Sequence, residues 1–357
     1  MRLVAPHNGD SSSRDVAKAW ERLNDGDLAA AQRALAAARK HSPNAPEVLE
    51  IEAEILAAGN DGPAALAVCE RWASIENENP RPLIQAAEIS LYSELDTDAA
   101  LAFVDRALEL VDEEADLVDA ILVKAEALIE RGRDDDFDVA PAQRTQVAET
   151  LGELDSSVLD DPELLSRIGG LYLEIEDGTG AERTLRRILD LDDIGDEHRA
   201  NALYGIGMAC ESRGDLSGAV KAWLEVRRLD AAAARVPWHV STRAFEAIAE
   251  DAMRELPQEI LERLANVPIL IEDLPAEDVV REGHDPRLLG LFSGVPLPEK
   301  PQGGAPHLDV IRLYQRNLES AVLDAEELAE QIRVTVLHET AHFFGLDDDD
   351  LDALGLG

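Results

Sequence analysis

The feature that most constrains how this chain can fold is an internal repetition. The segment Gly26-Asp27-Leu28-Ala29-Ala30-Ala31, followed by Leu35 and Ala38, returns as Gly214-Asp215-Leu216-Ser217-Gly218-Ala219, followed by Trp223 and Val226. Between these copies small residues keep step, with Ala31, Ala65 and Ala100 lying 34 and 35 residues apart. A unit this short cannot bury an apolar face by itself, so neighbouring units must stack to make a core.

Each period reads as two helices. Apolar residues fall three and four apart, as at Leu101, Val104, Leu108 and Val111, with charged residues on the other face. Turns fall at Asp25-Gly26, Asn60-Asp61-Gly62-Pro63, Arg131-Gly132-Arg133, Asp177-Gly178 and Arg213-Gly214, and at Pro43, Pro46, Pro80 and Pro82 after second helices. This rhythm resembles the tetratricopeptide repeat, although few consensus letters are present. The resemblance implies an α-helical solenoid of five or six units over residues 14–235, with a groove for a protein or peptide. Its fourth unit is irregular, because Asp134-Asp135-Asp136 and Asp160-Asp161 bracket more than one period. Residues 1–13 are expected to be disordered.

Charge narrows the partners. The 357 residues carry 33 Lys and Arg against 74 Asp and Glu, a net charge of −41. Such a field repels a phosphate backbone, so no nucleic-acid partner is expected. It fits a basic partner, and it equally fits solubility or salt adaptation. The N-terminus lacks the apolar core of a signal peptide, and no stretch of about 18 uncharged apolar residues occurs. A cytoplasmic protein without membrane contact is therefore expected. Cys69 and Cys210 lie far apart in helical segments, which predicts buried free thiols rather than a disulfide or a thiolate metal cluster.

The helical-pair rhythm stops at residues 231–237. The following pattern predicts helices over 242–255 and 257–264, and strands over 267–271, 288–292 and 308–314. A Pro- and Gly-rich loop spans 296–306. The last helix is capped by Asp324, runs to Phe344 and stops at a left-handed Gly345. Val334, Leu337, Ala341 and Phe344 form its expected buried stripe, with the histidines on a different face.

Those histidines stand in the string HETAHFFGLDD, residues 338–348. One helical turn separates His338 from His342, so both imidazoles leave one face at a spacing suited to two positions of a tetrahedral zinc. Glu339 then lies beside the metal, where it can take a proton from a water. Asp348 returns after Gly345 as a third ligand, with Asp347, Asp349 and Asp350 adjacent and His307 a remote alternative. By this chain's composition HExxH arises by chance roughly 2% of the time, and far less often with the glycine and acid in place. Tyr314 reads either as core or as an oxyanion donor.

Residues 244–357 resemble the small bacterial zincin-like metallopeptidase family. The resemblance rests on LPQEILERLANVPILIED at 256–273, LLGLFSGVPLPE at 288–299, DVIRLYQRNL at 309–318 and VTVLHETAHFFGLDDDDLDALG at 334–355. It implies a small α+β zincin-like domain over residues 240–357 and a peptidase of HExxHxxGxxD type holding one Zn2+. The ligands it implies are His338, His342 and Asp348, with Glu339 as general base. No methionine follows Met253, so the Met-containing turn of the metzincins is not expected. The functional expectation is hydrolysis of peptide bonds through a metal-activated water, with substrate aligned by edge pairing on one of the strands, the third being the first candidate, and recruited by the repeats. The alternative is a non-catalytic repeat scaffold with a structural or vestigial metal site.

Overall fold

The computed structural model describes residues 11–134, 137–154, 160–254, 258–264, 267–299 and 309–346. Two compact units divide the chain, residues 1–184 and 185–357.

The first unit is built from antiparallel helices in pairs. They are α1 (Ser11–Asn24) and α2 (Leu28–His41), α3 (Pro46–Ala58) and α4 (Gly62–Ile75), α5 (Arg81–Tyr92) and α6 (Thr97–Leu108), and α7 (Glu114–Gly132) and α8 (Pro141–Gly152). Then come α9 (Pro162–Glu174) and α10 (Gly178–Leu189), within which the unit boundary falls. Because α1 starts at Ser11, residues 11–13 are helical rather than disordered; residues 1–10 lie outside the described residues. Alanines let paired helices approach closely: Ala19, Ala31, Ala34 and Ala38 pack with Val48, Ile51 and Ile55, and the next cluster adds Ala53, Ala65, Ala86, Cys69 and Trp72. Both cysteines are buried free thiols. In the connection from α7 to α8 an isolated bridge pairs Arg133 with Val139.

The recurring Gly-Asp of the sequence is a helix-starting device. Asp27, Asp61 and Asp96 accept from the backbone N–H three residues on, at 2.9, 3.2 and 2.9 Å. Asp177 and Asp215 repeat this with Gly180 and Gly218, each at 2.9 Å. Every second helix from α2 to α10, α8 apart, thus begins on an aspartate that satisfies a free N-terminal donor. The residue before each cap has positive φ: Gly26 (75°), Asn60 (59°), Leu95 (54°), Glu176 (59°) and Gly214 (74°). A left-handed conformation costs a residue with a Cβ about 1–2 kcal/mol, and Leu95 is also 81% exposed. Leu95→Gly is therefore expected to raise stability by about 1 kcal/mol, and Asp61→Ala to lower it by about 1 kcal/mol. Denaturant midpoints check both, and an unchanged or lowered midpoint for Leu95→Gly would refute the strain.

The second unit contains α11 (Asp196–Ser212), α12 (Leu216–Ala232), α13 (Thr242–Arg254), α14 (Gln258–Leu264), β1 (Ile269–Glu272), α15 (Glu277–Arg281), β2 (Gly290–Ser293), β3 (Val310–Tyr314), α16 (Gln315–Ser320) and α17 (Ala325–Phe344). The sheet order is β1-β3-β2, with β1 parallel and β2 antiparallel to β3. Ile311 and Leu313 of β3 pack against Phe245 and Ala249 of α13 and against Leu328, Ile332 and Val336 of α17. Residues 297–299 of the proline-rich stretch form a 3-10 turn, and residues 300–308 lie outside the described residues.

Two expectations are corrected here. The third strand lies in the centre and pairs on both sides, so it has no free edge to align a substrate; the edges are β1 and β2. The buried stripe of α17 is Leu328, Ile332, Thr335, Val336, Glu339, Thr340, Ala341 and Phe343, so of the expected four only Ala341 is fully buried. The helix turns a partly polar face inward because Glu339 finds its hydrogen-bond donor on the sheet. The short helices α15 and α16 carry too few residues for a periodic pattern and were not expected.

Candidate metal centre

Both ends of α17 are fixed as the letters require. Asp324 accepts from the N–H groups of Glu326 and Glu327 at 2.8 and 3.1 Å, and Gly345 closes the helix at φ 87°. The last turn then presents its imidazoles on one side. His338 Nε2 and His342 Nε2 lie 3.0 Å apart, with ring centroids 4.7 Å apart and planes nearly perpendicular.

The chemistry of this pair fits a metal. His342 Nδ1 is 2.9 Å from the carbonyl of Leu346, and a carbonyl can only accept, so Nδ1 carries the proton. In the neutral ring Nε2 is then left with its lone pair toward His338. Two ligand nitrogens on one tetrahedral zinc, each at 2.0–2.1 Å, stand about 3.3 Å apart. The observed spacing is close to that value.

Glu339 occupies the neighbouring position on the buried side, only 6% exposed. Its Oε2 accepts from the backbone N–H of Phe292 at 2.6 Å. β2 can come this near because of Gly290: a Cβ there would lie 2.8 Å from both Cγ and Oε1 of Glu339 and 2.7 Å from Cγ2 of Thr335. Phe292 in turn packs edge-on against Phe343, centroids 5.8 Å apart. The carboxylate is thus held by one strand edge and one helix rather than by solvent.

His338, Glu339 and His342 are brought together by α17. Asp348, its neighbours Asp347, Asp349 and Asp350, and His307 all lie outside the described residues. Among the described residues no group of three or more His, Cys, Asp or Glu side chains is arranged to hold a metal ion. Tyr314 is fully buried on β3, and burial pushes its phenol up to about 12. Its hydroxyl has no hydrogen-bond partner among the described residues. Sequence reasoning gave no role to Phe292, Gly290 or Leu346. A glycine inside a strand was the one available signal, since it marks a close approach.

The helical array has its own electrostatic character. Glu50 of α3 and Glu88 of α5 both titrate above the ordinary carboxylate range, Glu88 at about 7. Burial is the main cause, and neighbouring Glu54 adds to it in both cases. Arg81 offsets part of this crowding, bonding Asp119 at 2.6 Å and Asp116 at 3.3 Å.

These features define a helical-repeat array followed by a small region with a mixed three-stranded sheet. Residues 264–357 match the family described as Zincin-like metallopeptidase, and residues 16–80 and 167–235 match the Tetratricopeptide repeat. No curated protein matches the chain. Solved structures similar to it include PilW, a widely conserved type IV pilus biogenesis factor, at 13% identity and TM-score 0.47, covering 62% of this chain and 94% of that one. The MamA protein aligns at 14% identity and TM-score 0.34, covering 64% and 100%. A tetratricopeptide repeat protein from Parabacteroides merdae aligns at 15% identity and TM-score 0.34, covering 62% and 94%. Among the described residues no helix is long and apolar enough to cross a membrane.

Proposed function

We propose that the second unit is a zinc-dependent peptidase and that the upstream helices recruit the protein to be cut. The observation that carries this reading is the pair of Nε2 atoms of His338 and His342, 3.0 Å apart, with Glu339 on the next helical position. His338, His342 and Asp348 would hold one Zn2+, which when bound supplies Lewis acidity and lowers the pKa of water.

The chain's own residues do the rest. Glu339 takes the proton of the attacking water and delivers it to the leaving amine. Phe292 N–H and the close approach allowed by Gly290 hold that carboxylate before substrate arrives. β2 is the sheet edge beside Glu339, so an extended peptide adds along β2 rather than along the central strand. The crowded carboxylates of α3 and α5 favour a basic segment on the recruited protein.

Metal analysis of the purified chain, paired with a peptide library, tests the proposal. One zinc per chain with cleavage abolished by a chelator and restored by Zn2+ is expected. Bound zinc with no cleavage of any peptide would favour the scaffold reading. A second result is specific to β2: Gly290→Ala is expected to lower turnover at least tenfold while zinc content stays at one, because the added methyl displaces Glu339 and not the imidazoles. Unchanged turnover would show that the close approach at Gly290 does not matter.

A further inference from the structure

We propose that Arg287 is a positioning residue for Glu339, acting through β2 from a platform made by α11 and α12. This rests on the reading of Glu339 as the general base.

The route is short and fully bonded. Arg287 makes a two-point ion pair with Asp230 of α12, Nε to Oδ2 at 2.9 Å and Nη2 to Oδ1 at 3.1 Å. Its third nitrogen donates to Oδ1 of Asn201 at 2.9 Å, and its guanidinium lies 4.9 Å from the ring centre of Tyr204, both on α11. The Tyr204 hydroxyl donates to Asp285 at 2.6 Å, and the other oxygen of Asp285 accepts from the Arg287 backbone N–H at 2.7 Å. Residues 285–287 are therefore clamped to two helices of the last repeat by a planar fork that lysine cannot reproduce.

The same segment runs straight into β2. Asn317 bonds the carbonyls of Pro286 and Leu288 at 3.0 and 2.8 Å, and the carbonyl of Leu289 accepts from Tyr314 N–H at 2.9 Å. The next residue is Gly290, whose bare Cα makes room for Glu339, and two further on is Phe292, whose N–H holds its carboxylate. Four residues thus separate the clamp from the backbone donor to Glu339. A shift of β2 by a fraction of an ångström changes where that carboxylate sits, whereas both imidazoles project from α17.

The test uses the full-length, zinc-loaded chain with Arg287→Ala, Tyr204→Phe and the exchange Asp230→Arg with Arg287→Asp. Turnover of a short fluorogenic peptide, zinc content and amide exchange of the segment 288–293 are measured. Arg287→Ala is expected to lower kcat roughly tenfold to a hundredfold with KM within about twofold, zinc retained, and exchange at 288–293 faster by about tenfold. Tyr204→Phe, which keeps the ring under the guanidinium, is expected to act in the same direction more weakly. The charge exchange is expected to recover part of both losses. Wild-type kcat and exchange in Arg287→Ala would overturn the proposal, as would a loss of zinc and of protection throughout the unit. If the wild-type chain cleaves no peptide, the peptidase reading fails, and the exchange at 288–293 alone decides whether Arg287 holds β2.

Discussion

Glu339→Gln is expected to reduce peptide cleavage by roughly a hundredfold to ten-thousandfold while leaving one zinc per chain and an almost unchanged melting temperature. The amide oxygen of glutamine can still accept from Phe292 N–H, which now donates to Glu339 at 2.6 Å, so the contact between α17 and β2 survives. What disappears is the ability to accept a proton at neutral pH. Glu339→Ala is the informative companion. It leaves the part-buried Phe292 donor without its acceptor, a loss of about 1–3 kcal/mol, so it is expected to lower both activity and stability. If glutamine is as destabilising as alanine, Glu339 is a brace first. If glutamine cleaves at the wild-type rate, Glu339 is not the base.

The second large effect concerns where the chain can be cut. A chain beginning at Asp190 is expected to fold, bind zinc and cleave short peptides at the full-length rate, but to lose most cleavage of its protein substrate. A chain beginning at Val236 is expected not to fold. The first keeps α11 and α12; the second discards them, and with them three acceptors of Arg316, the carbonyls of Asp230, Ala231 and Ala233 at 2.8, 3.3 and 3.1 Å. It also loses Asp230 from Arg287, and Arg227 from the Pro275 carbonyl at 2.7 Å. Arg316, whose side chain is only 16% exposed, keeps its ion pair with Asp273 at 3.2 Å, but the combined loss of these contacts costs several kcal/mol, a large share of what holds a unit this size together. Circular dichroism and soluble yield read the folding arm. Equal cleavage of protein and peptide substrates by the shorter chain would refute recruitment by the upstream helices.

Much of this was legible in the letters. The array announces itself because each second helix needs the same start, and Asp27, Asp61, Asp96, Asp177 and Asp215 meet that need with one side chain. Part of the chain's acidity is thereby accounted for as capping. The histidine pair was legible because i,i+4 spacing fixes direction on any helix. The inward face of α17 was not. Hydrophobic periodicity cannot choose Thr335 and Glu339 as buried, since their burial depends on a backbone donor 47 residues earlier. Strand order escaped for a similar reason: β3 reads as one more apolar run, and only packing against both neighbours makes it central. The attachment of α11 and α12 to the second unit rests on Asp230, Tyr204, Arg227 and Arg316, residue types that a pattern assigns to solvent.

That attachment separates two boundaries that usually coincide. By sequence the repeats run to residue 235, yet by contacts the last pair belongs with the sheet. Whole helix pairs can therefore be gained or lost upstream of α11 without touching a group that bears on Glu339. On the proposed function, such a chain is free over generations to change what it captures at one rate and how it reacts at another, with the final pair inherited alongside the chemistry and the rest alongside the prey.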